Sequence, residues 1–373
     1  MQLLKLVQNL VKLGEPLPWN VRDNQGHLLL AHGHVIDSEV QLLELLERGA
    51  FVDVEEVKAA AKRSAEAEKT RPANLFTLWE RALWQLDRLL RSAEEPEFPK
   101  RVAELAHHVT ALTDRDPDIA IYLCLRQDPK RLSIYGLSHS IHCASVCLLA
   151  GRRLGWEADK VMTAVKAALT MNIAMFELQG RMAVQGIAPT ASQREAIREH
   201  PVRGVELLRA AGVDDELWLT AVRQSHERRD GSGYPDGVAD PIDVAQLLGH
   251  ADVLTAMLSP RATRPPMLAQ VVARQLFQED KGGSVLAAII KEVGIYPPGE
   301  LVKLKSGEHA VVVRRSANAS LPLVASITDR SGMPVVNTTV RDTAKPEFAI
   351  VAPLAERGLV LHMPPERLYG LPE

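Results

Sequence analysis

Apolar and polar positions follow two different periods along this chain of 373 residues, and the period changes twice. Between Pro18 and Ile36 short apolar runs are split at Asn24-Gln25-Gly26 and at Gly33, which predicts two short strands around turns. Asp37 or Ser38 then caps EVQLLELLERG, a helix ending at Gly49, so residues 1–57 read as a small α+β module. From Glu55 to Arg71 the chain is rich in Ala, Lys and Glu and has no apolar stripe, the pattern of a solvated helix or linker. Leu75, Leu78, Trp79, Ala82, Leu83, Leu86, Leu89 and Leu90 then recur at helical spacing. That stripe faces a core or, as the alternative, makes a homodimer or signal-transmitting helix between the N-terminal module and the helical domain that follows. Pro96 and Pro99 interrupt it, so residues 58–118 form a helical linker. Residues 119–293 read as one helix after another, among them SHSIHCASVCLLAGRRLG and VAQLLGHADVLTAML. After Ile295 the period shortens to β-branched runs split by Gly, Pro and Asp, predicting a sheet or small barrel over 294–373. The fold class is mainly α, with an α+β module ahead and a β-rich domain behind.

Composition narrows the partners. Apolar residues are 46% of the chain, charged residues 24%, and the net charge is −3 with the basic residues dispersed. No footprint for nucleic acid or an anionic membrane is present. No apolar run approaches bilayer length, and the first residues lack a leader-type cleavage site, so a cytoplasmic location is expected. Cys143 and Cys147 lie one turn apart on an apolar helix and read as buried thiols, not as ligands or a disulfide.

The chemistry concentrates in Ser225 and the following HERRDGSGYPDG. His226 falls at a helix end. Gly231, Gly233 and Gly237 permit positive φ or close approach, and Tyr234-Pro235 reads as a rigid extended step. Arg228 and Glu227 read as a solvated loop face. The stretch resembles the signature HHExxDGxGYPxG of the HD-GYP family, with Ser225 in place of the first histidine. The resemblance implies an HD-superfamily helical domain over residues 119–293. It also implies two or three iron or manganese ions and hydrolysis of the bacterial messenger cyclic di-GMP.

Carried over residue by residue, the resemblance assigns four metal-ligand positions. These are His139 in SHSIHCA, His200 in REHPVRG, His226, and Asp252 in GHADVLTAM. Phosphodiester hydrolysis needs an activated water and charge neutralisation, which two ions about 3.5–4 Å apart supply. The segment that in the family reads HDIGK is here Met171-Asn172-Ile173-Ala174-Met175. A thioether is a poor ligand for hard ions, an amide cannot replace a bridging carboxylate, and Met175 removes a cation. No catalytic residue set is therefore expected, and no cofactor, with one iron or manganese ion on the four retained ligands as the alternative. Tyr234, Arg261 and Arg264 fall where the family contacts nucleotide. The expected protein is a catalytically degenerate HD-GYP-like binding or docking module. Its partner is cyclic di-GMP or a signalling protein such as a diguanylate cyclase domain, and it forms a homodimer. The alternatives are an active phosphodiesterase with a reduced metal site and a dimeric scaffold that binds no nucleotide.

Overall fold

The computed structural model describes residues 3–5, 17–36, 39–47, 49–60, 73–126, 129–263, 265–355 and 363–371. The chain divides into two compact units, Met1–Ala73 and Asn74–Glu373. In the first, β1 (Leu3–Lys5), β2 (Val21–Arg22), β3 (Leu28–Leu30) and β4 (Phe51–Asp53) form an antiparallel sheet of order β1-β4-β2-β3. Val21 pairs with both Leu30 and Val52, so the strands predicted around Gly26 are present. Gly26 and Gly33 both have positive φ, as those turns require. Helix α1 (Glu39–Glu47) and the helical residues 54–60 (α2) complete the unit, around Leu17, Trp19, Val21, Ile36, Leu42 and Val52. The expected cap at Asp37 or Ser38 and most of the linker up to Arg71 lie outside the described residues.

The second unit is helical. Asn74 caps α3 (Leu75–Arg91) by accepting the Thr77 N–H at 2.9 Å. The α3 stripe from Leu75 to Leu90 is buried in this unit's own core, packed against α4 (Phe98–Arg115). Asp116 caps α5 (Pro117–Leu125), where Pro117 supplies the fixed φ of a first helical position. The hub is α6 (Tyr135–Arg153), apolar around most of its circumference. It contacts α7 (Ala158–Thr170), α8 (Phe176–Val184), α11 (Asp243–Leu258) and α13 (Ser284–Val293). The segment Arg131–Arg153 is long and apolar enough to cross a membrane, contrary to the reading that no run approaches that length. Its apolar positions are filled by neighbouring helices, and 78% of the window is buried inside the protein. A hub helix buried on all sides becomes uniformly apolar for the same reason a membrane span does.

Close backbone approach fixes the spacing. A Cβ on Gly136 of α6 would lie 2.3 Å from the Phe176 carbonyl oxygen. One on Gly180 of α8 would lie 2.1 Å from that of Ser133. Helix α9 (Ala191–Ala210) starts with a capping box of Thr190 and Gln193, and α10 (Glu216–Arg223) is capped by Asp215. Helix α12 (Ala269–Glu279) follows α11.

The chain then forms β5 (Leu301–Leu304), β6 (His309–Arg314), β7 (Leu323–Thr328), β8 (Pro334–Asp342) and β9 (Ile350–Pro353). They make one antiparallel sheet of order β8-β7-β6-β5-β9, an open sheet and not a barrel. Its two faces alternate along each strand. Val311, Val313, Ala325 and Ile327 join the helical core, while Val302, Ala310, Val312 and Val324 form a separate small core. Arg315 donates to Asp118 at 2.5 Å and pairs with Glu292 at 3.2 Å, tying the strand ends to α5 and α13. The sheet therefore belongs to the same compact unit as the helices.

Candidate functional site

Helices α6, α9 and α11 and the turn that follows α10 each bring one histidine or carboxylate to the same neighbourhood. Along α6, Tyr135, His139 and Cys143 stand at i, i+4 and i+8 on one buried face. The His139 Nε2 atom lies 2.6 Å from Asp252 Oδ1 on α11. His139 is 1% exposed at its side chain and Asp252 15%.

His200 is set by its own sequence neighbour. Pro201 sits inside α9 and has no N–H to bond the carbonyl of Ile197, four residues back. His200 Nδ1 takes that place and donates to the Ile197 oxygen at 2.6 Å. The tautomer follows: Nε2 carries the free lone pair. That atom is buried and has no hydrogen-bond partner among the described residues. Burial and the neighbouring His226 push the His200 pKa down to about 4, so the ring is neutral at pH 7.

His226 follows the end of α10. Trp218 anchors that helix by donating from Nε1 to Thr170 Oγ1 at 2.9 Å. The His226 ring packs edge-on against His200, centroids 4.9 Å apart, and lies flat on Tyr234 at 4.8 Å and 8°. Its Nδ1 is 4.0 Å from Asp252 Oδ2. Burial lowers its pKa, with the Asp252 charge opposing. For Asp252 burial acts upward, but the His139 hydrogen bond and the three imidazoles outweigh it and hold the carboxylate ionised. On the far side Tyr135 stacks on His139 at 5.1 Å, and Arg261 Nη2 donates to the Tyr135 hydroxyl at 3.0 Å. A row Arg261–Tyr135–His139–Asp252–His226–Tyr234 therefore crosses the site.

The structure thus brings His139, His200, His226 and Asp252 together, with Tyr234 and Arg261 at either end. Arg264 lies outside the described residues. Ser225 is buried, and its hydroxyl donates to the Val222 carbonyl at 2.9 Å, back into α10. Met171, Asn172 and Met175 occupy the buried turn between α7 and α8, and the Asn172 amide nitrogen has no partner among the described residues.

Two loop expectations are corrected. Glu227 is not on a solvated face. It is buried, and its carboxylate accepts the backbone N–H groups of Asp236, Gly237 and Val238 at 2.7, 3.0 and 3.0 Å. A charged residue among arginines and aspartates looks solvated in sequence, whereas here it organises the loop's own amides. The Tyr234–Pro235 peptide bond is cis, where an extended step was expected. Arg228 is exposed, as read. Arg223 reinforces the loop through two bonds to Asp236, at 2.7 and 2.8 Å.

Cys143 and Tyr135 are the residues the motif comparison passed over. The Cys143 Sγ atom is 3.8 Å from His139 Nε2 and 3.3 Å from Thr255 Oγ1. Burial first, then the Asp252 charge, keeps the thiol protonated. The i, i+4, i+8 spacing around His139 was the available signal.

Chemically, imidazole and carboxylate suit a borderline divalent ion, and among the described residues the ligand atoms of His139 and Asp252, with Cys143, lie within 4.8 Å of one another, whereas those of His200 and His226 are not in that group. The neutral Asn172 amide offers no bridging oxygen pair, so the set does not suit two bridged ions.

No family model matches the chain. Over 223 residues it is 26% identical to a cyclic di-GMP phosphodiesterase of Pseudomonas aeruginosa, covering 59% of this chain and 53% of that protein. Over 189 residues it is 30% identical to the cyclic di-GMP phosphodiesterase response regulator RpfG of Xanthomonas campestris pv. campestris, covering 49% and 44%. These similarities support an HD-GYP relationship for the chain. It spans about half the length of these curated relatives. An HDG"Y"P protein from Bdellovibrio bacteriovorus aligns with a TM-score of 0.48 and 12% identity, over 77% of this chain and 98% of that one.

Proposed function

We propose that this chain is a catalytically degenerate member of the family, acting as a binding or docking module in bacterial cyclic di-GMP signalling within the cytoplasm. One observation carries the reading. The Asn172 amide, buried and without a partner among the described residues, takes in the sequence motif the position of the family's bridging carboxylate. Without that bridge two cations repel across a low-dielectric pocket with nothing between them. Met171 and Met175 are likewise buried apolar groups, and Ser225 bonds back to its own helix. The GYP loop, by contrast, is intact and rigidly held by Glu227 and Arg223. Its Tyr234 and Pro235 line an open groove of about 660 Å³ with Arg194, Arg198 and Val202 of α9. That groove supports recognition by either cyclic di-GMP or a signalling protein.

The retained His139, His200, His226 and Asp252 favour a second reading, an active hydrolase on one iron or manganese ion. The test is one preparation, loaded anaerobically with ferrous or manganous ion, and two measurements. Titration calorimetry reads cyclic di-GMP binding, and chromatography reads linear product. Binding without product is expected; steady turnover with one bound ion would establish the second reading instead. Absence of both leaves protein docking as the role, tested by pull-down with a diguanylate cyclase domain, and failure there removes the proposal.

A further inference from the structure

We propose that Cys143 is a donor to a single zinc-class divalent ion, held with His139 and Asp252 between α6 and α11. The ligand atoms of these three residues lie within 4.8 Å of one another. Nothing in the HD-GYP motif places a sulfur there; the inference comes from the helix geometry. His139 and Cys143 are one turn apart on the same face of α6, and Thr255 is three residues after Asp252 on α11.

The hydrogen bonds around this group describe the metal-free state. The Thr255 hydroxyl donates to the Ala251 carbonyl at 2.7 Å, and its oxygen is 3.3 Å from Cys143 Sγ. The Tyr135 hydroxyl accepts from Arg261, so its proton is available to His139 Nδ1 at 3.3 Å, and His139 Nε2 donates to Asp252 at 2.6 Å. A divalent ion takes the place of that Nε2 proton, and Nδ1 then donates to the Thr255 oxygen at 3.3 Å, an outer hydrogen bond of the kind that orients a metal-binding imidazole. Cys143 Sγ is within reach of the same ion, since the three ligand atoms lie within 4.8 Å of one another. His200 Nε2 is buried and has no hydrogen-bond partner among the described residues, on a ring packed against His226.

The donor set decides the ion. Thiolate and imidazole suit zinc, with Zn–S of about 2.3 Å and Zn–N of about 2.0 Å, whereas manganese favours oxygen ligands. Binding displaces the thiol proton to solvent. The inference rests on convergence of the retained donors and holds whether or not the pocket acts in signalling.

Cobalt(II) is the probe. The full chain, freed of metal and titrated anaerobically, is expected to bind one equivalent, with tetrahedral visible bands and a near-ultraviolet sulfur-to-cobalt charge-transfer band. Cys143→Ser removes the charge-transfer band, while Cys147→Ser, one turn further along α6, leaves it. Circular dichroism checks that each variant is folded. X-ray absorption on the zinc-loaded wild type reads a sulfur neighbour without any substitution. Cobalt bound with no charge-transfer band, a band that survives Cys143→Ser, zinc without a sulfur neighbour, or no stoichiometric binding each overturns the proposal. None of these readouts depends on cyclic di-GMP, so the signalling role stands or falls separately.

Discussion

The Glu227 carboxylate accepts the Asp236 backbone N–H at 2.7 Å, nine residues along the chain, and the next two amides bond to the same group. The GYP loop is thus closed around a negative charge. A Cβ on Gly233 would lie 2.4 Å from Glu227 Cα, so the loop has also packed its backbone against the carboxylate's own residue. Truncating Glu227 to Ala releases three charge-assisted bonds, each contributing about 1.5–3 kcal/mol before water replaces it. Because Asp236 and Gly237 are exposed, water recovers much of that. The expected net loss is about 1–3 kcal/mol in urea denaturation. Hydrogen exchange at residues 236–238 is expected to accelerate while exchange in α6 does not change. Equal acceleration in both would show that Glu227 supports the whole domain instead of the loop.

Gly249 couples the loop to the ligand cluster. It sits on α11 one turn before Asp252, and a Cβ there would lie 2.5 Å from the Ser225 carbonyl oxygen. Gly249→Ala therefore pushes the segment carrying His226 away from α11. Overpacking against backbone costs about 1–3 kcal/mol. The melting temperature should fall. Cobalt affinity should fall with it, whereas Gly155→Ala, with open space around its Cβ, lowers stability through its positive φ without touching cobalt binding.

Much of this was legible in the chain and some was not, for physical reasons. The α3 stripe is readable because each burial event repeats at helical spacing, and the sheet because Val311 and Val312 face opposite cores in alternation. His139, His200, His226 and Asp252 are found by motif, since their spacing along the chain is a property of sequence. What escaped were relationships that the fold creates. Glu227 looks solvated until the backbone curls over it. Arg261, read as a phosphate ligand, bonds to Tyr135, which is 126 residues away. Cys143 on an apolar helix is indistinguishable from packing until α11 brings Asp252 beside it.

Asp215 gives a pH test away from the cluster. It caps α10 by accepting the Trp218 N–H at 3.1 Å and pairs with Lys166 at 3.0 Å. Burial raises its pKa, but those bonds together outweigh burial and lower it. A carboxylate whose folded pKa is depressed stabilises the fold above its unfolded pKa of about 3.9, and loses that contribution as pH falls through the folded value. Asp215→Ala should cost about 1 kcal/mol at pH 7, the scale of a lost cap. The gap between the wild type and Asp215→Ala should narrow as urea midpoints are followed down below pH 4. A gap that is constant with pH would mean that the charge contributes nothing.

Restoring the lost chemistry is the most demanding prediction. Asn172→Asp alone places a carboxylate where the present amide is 1% exposed and its nitrogen lacks a partner among the described residues. An uncompensated buried charge is costly, so the metal-free variant is expected to be about 2–4 kcal/mol less stable than the wild type. Divalent metal should recover most of that, because an ion bound only by the folded state stabilises it by mass action. Adding Met171→His and Ser225→His supplies two imidazoles beside the new carboxylate. The triple variant should bind two ions per chain by plasma mass spectrometry where the wild type binds one at most, and only the two-ion form should cleave cyclic di-GMP. If Asn172→Asp is tolerated without metal, the turn between α7 and α8 does not face the cluster. The loss of the bridge would then not explain a missing activity.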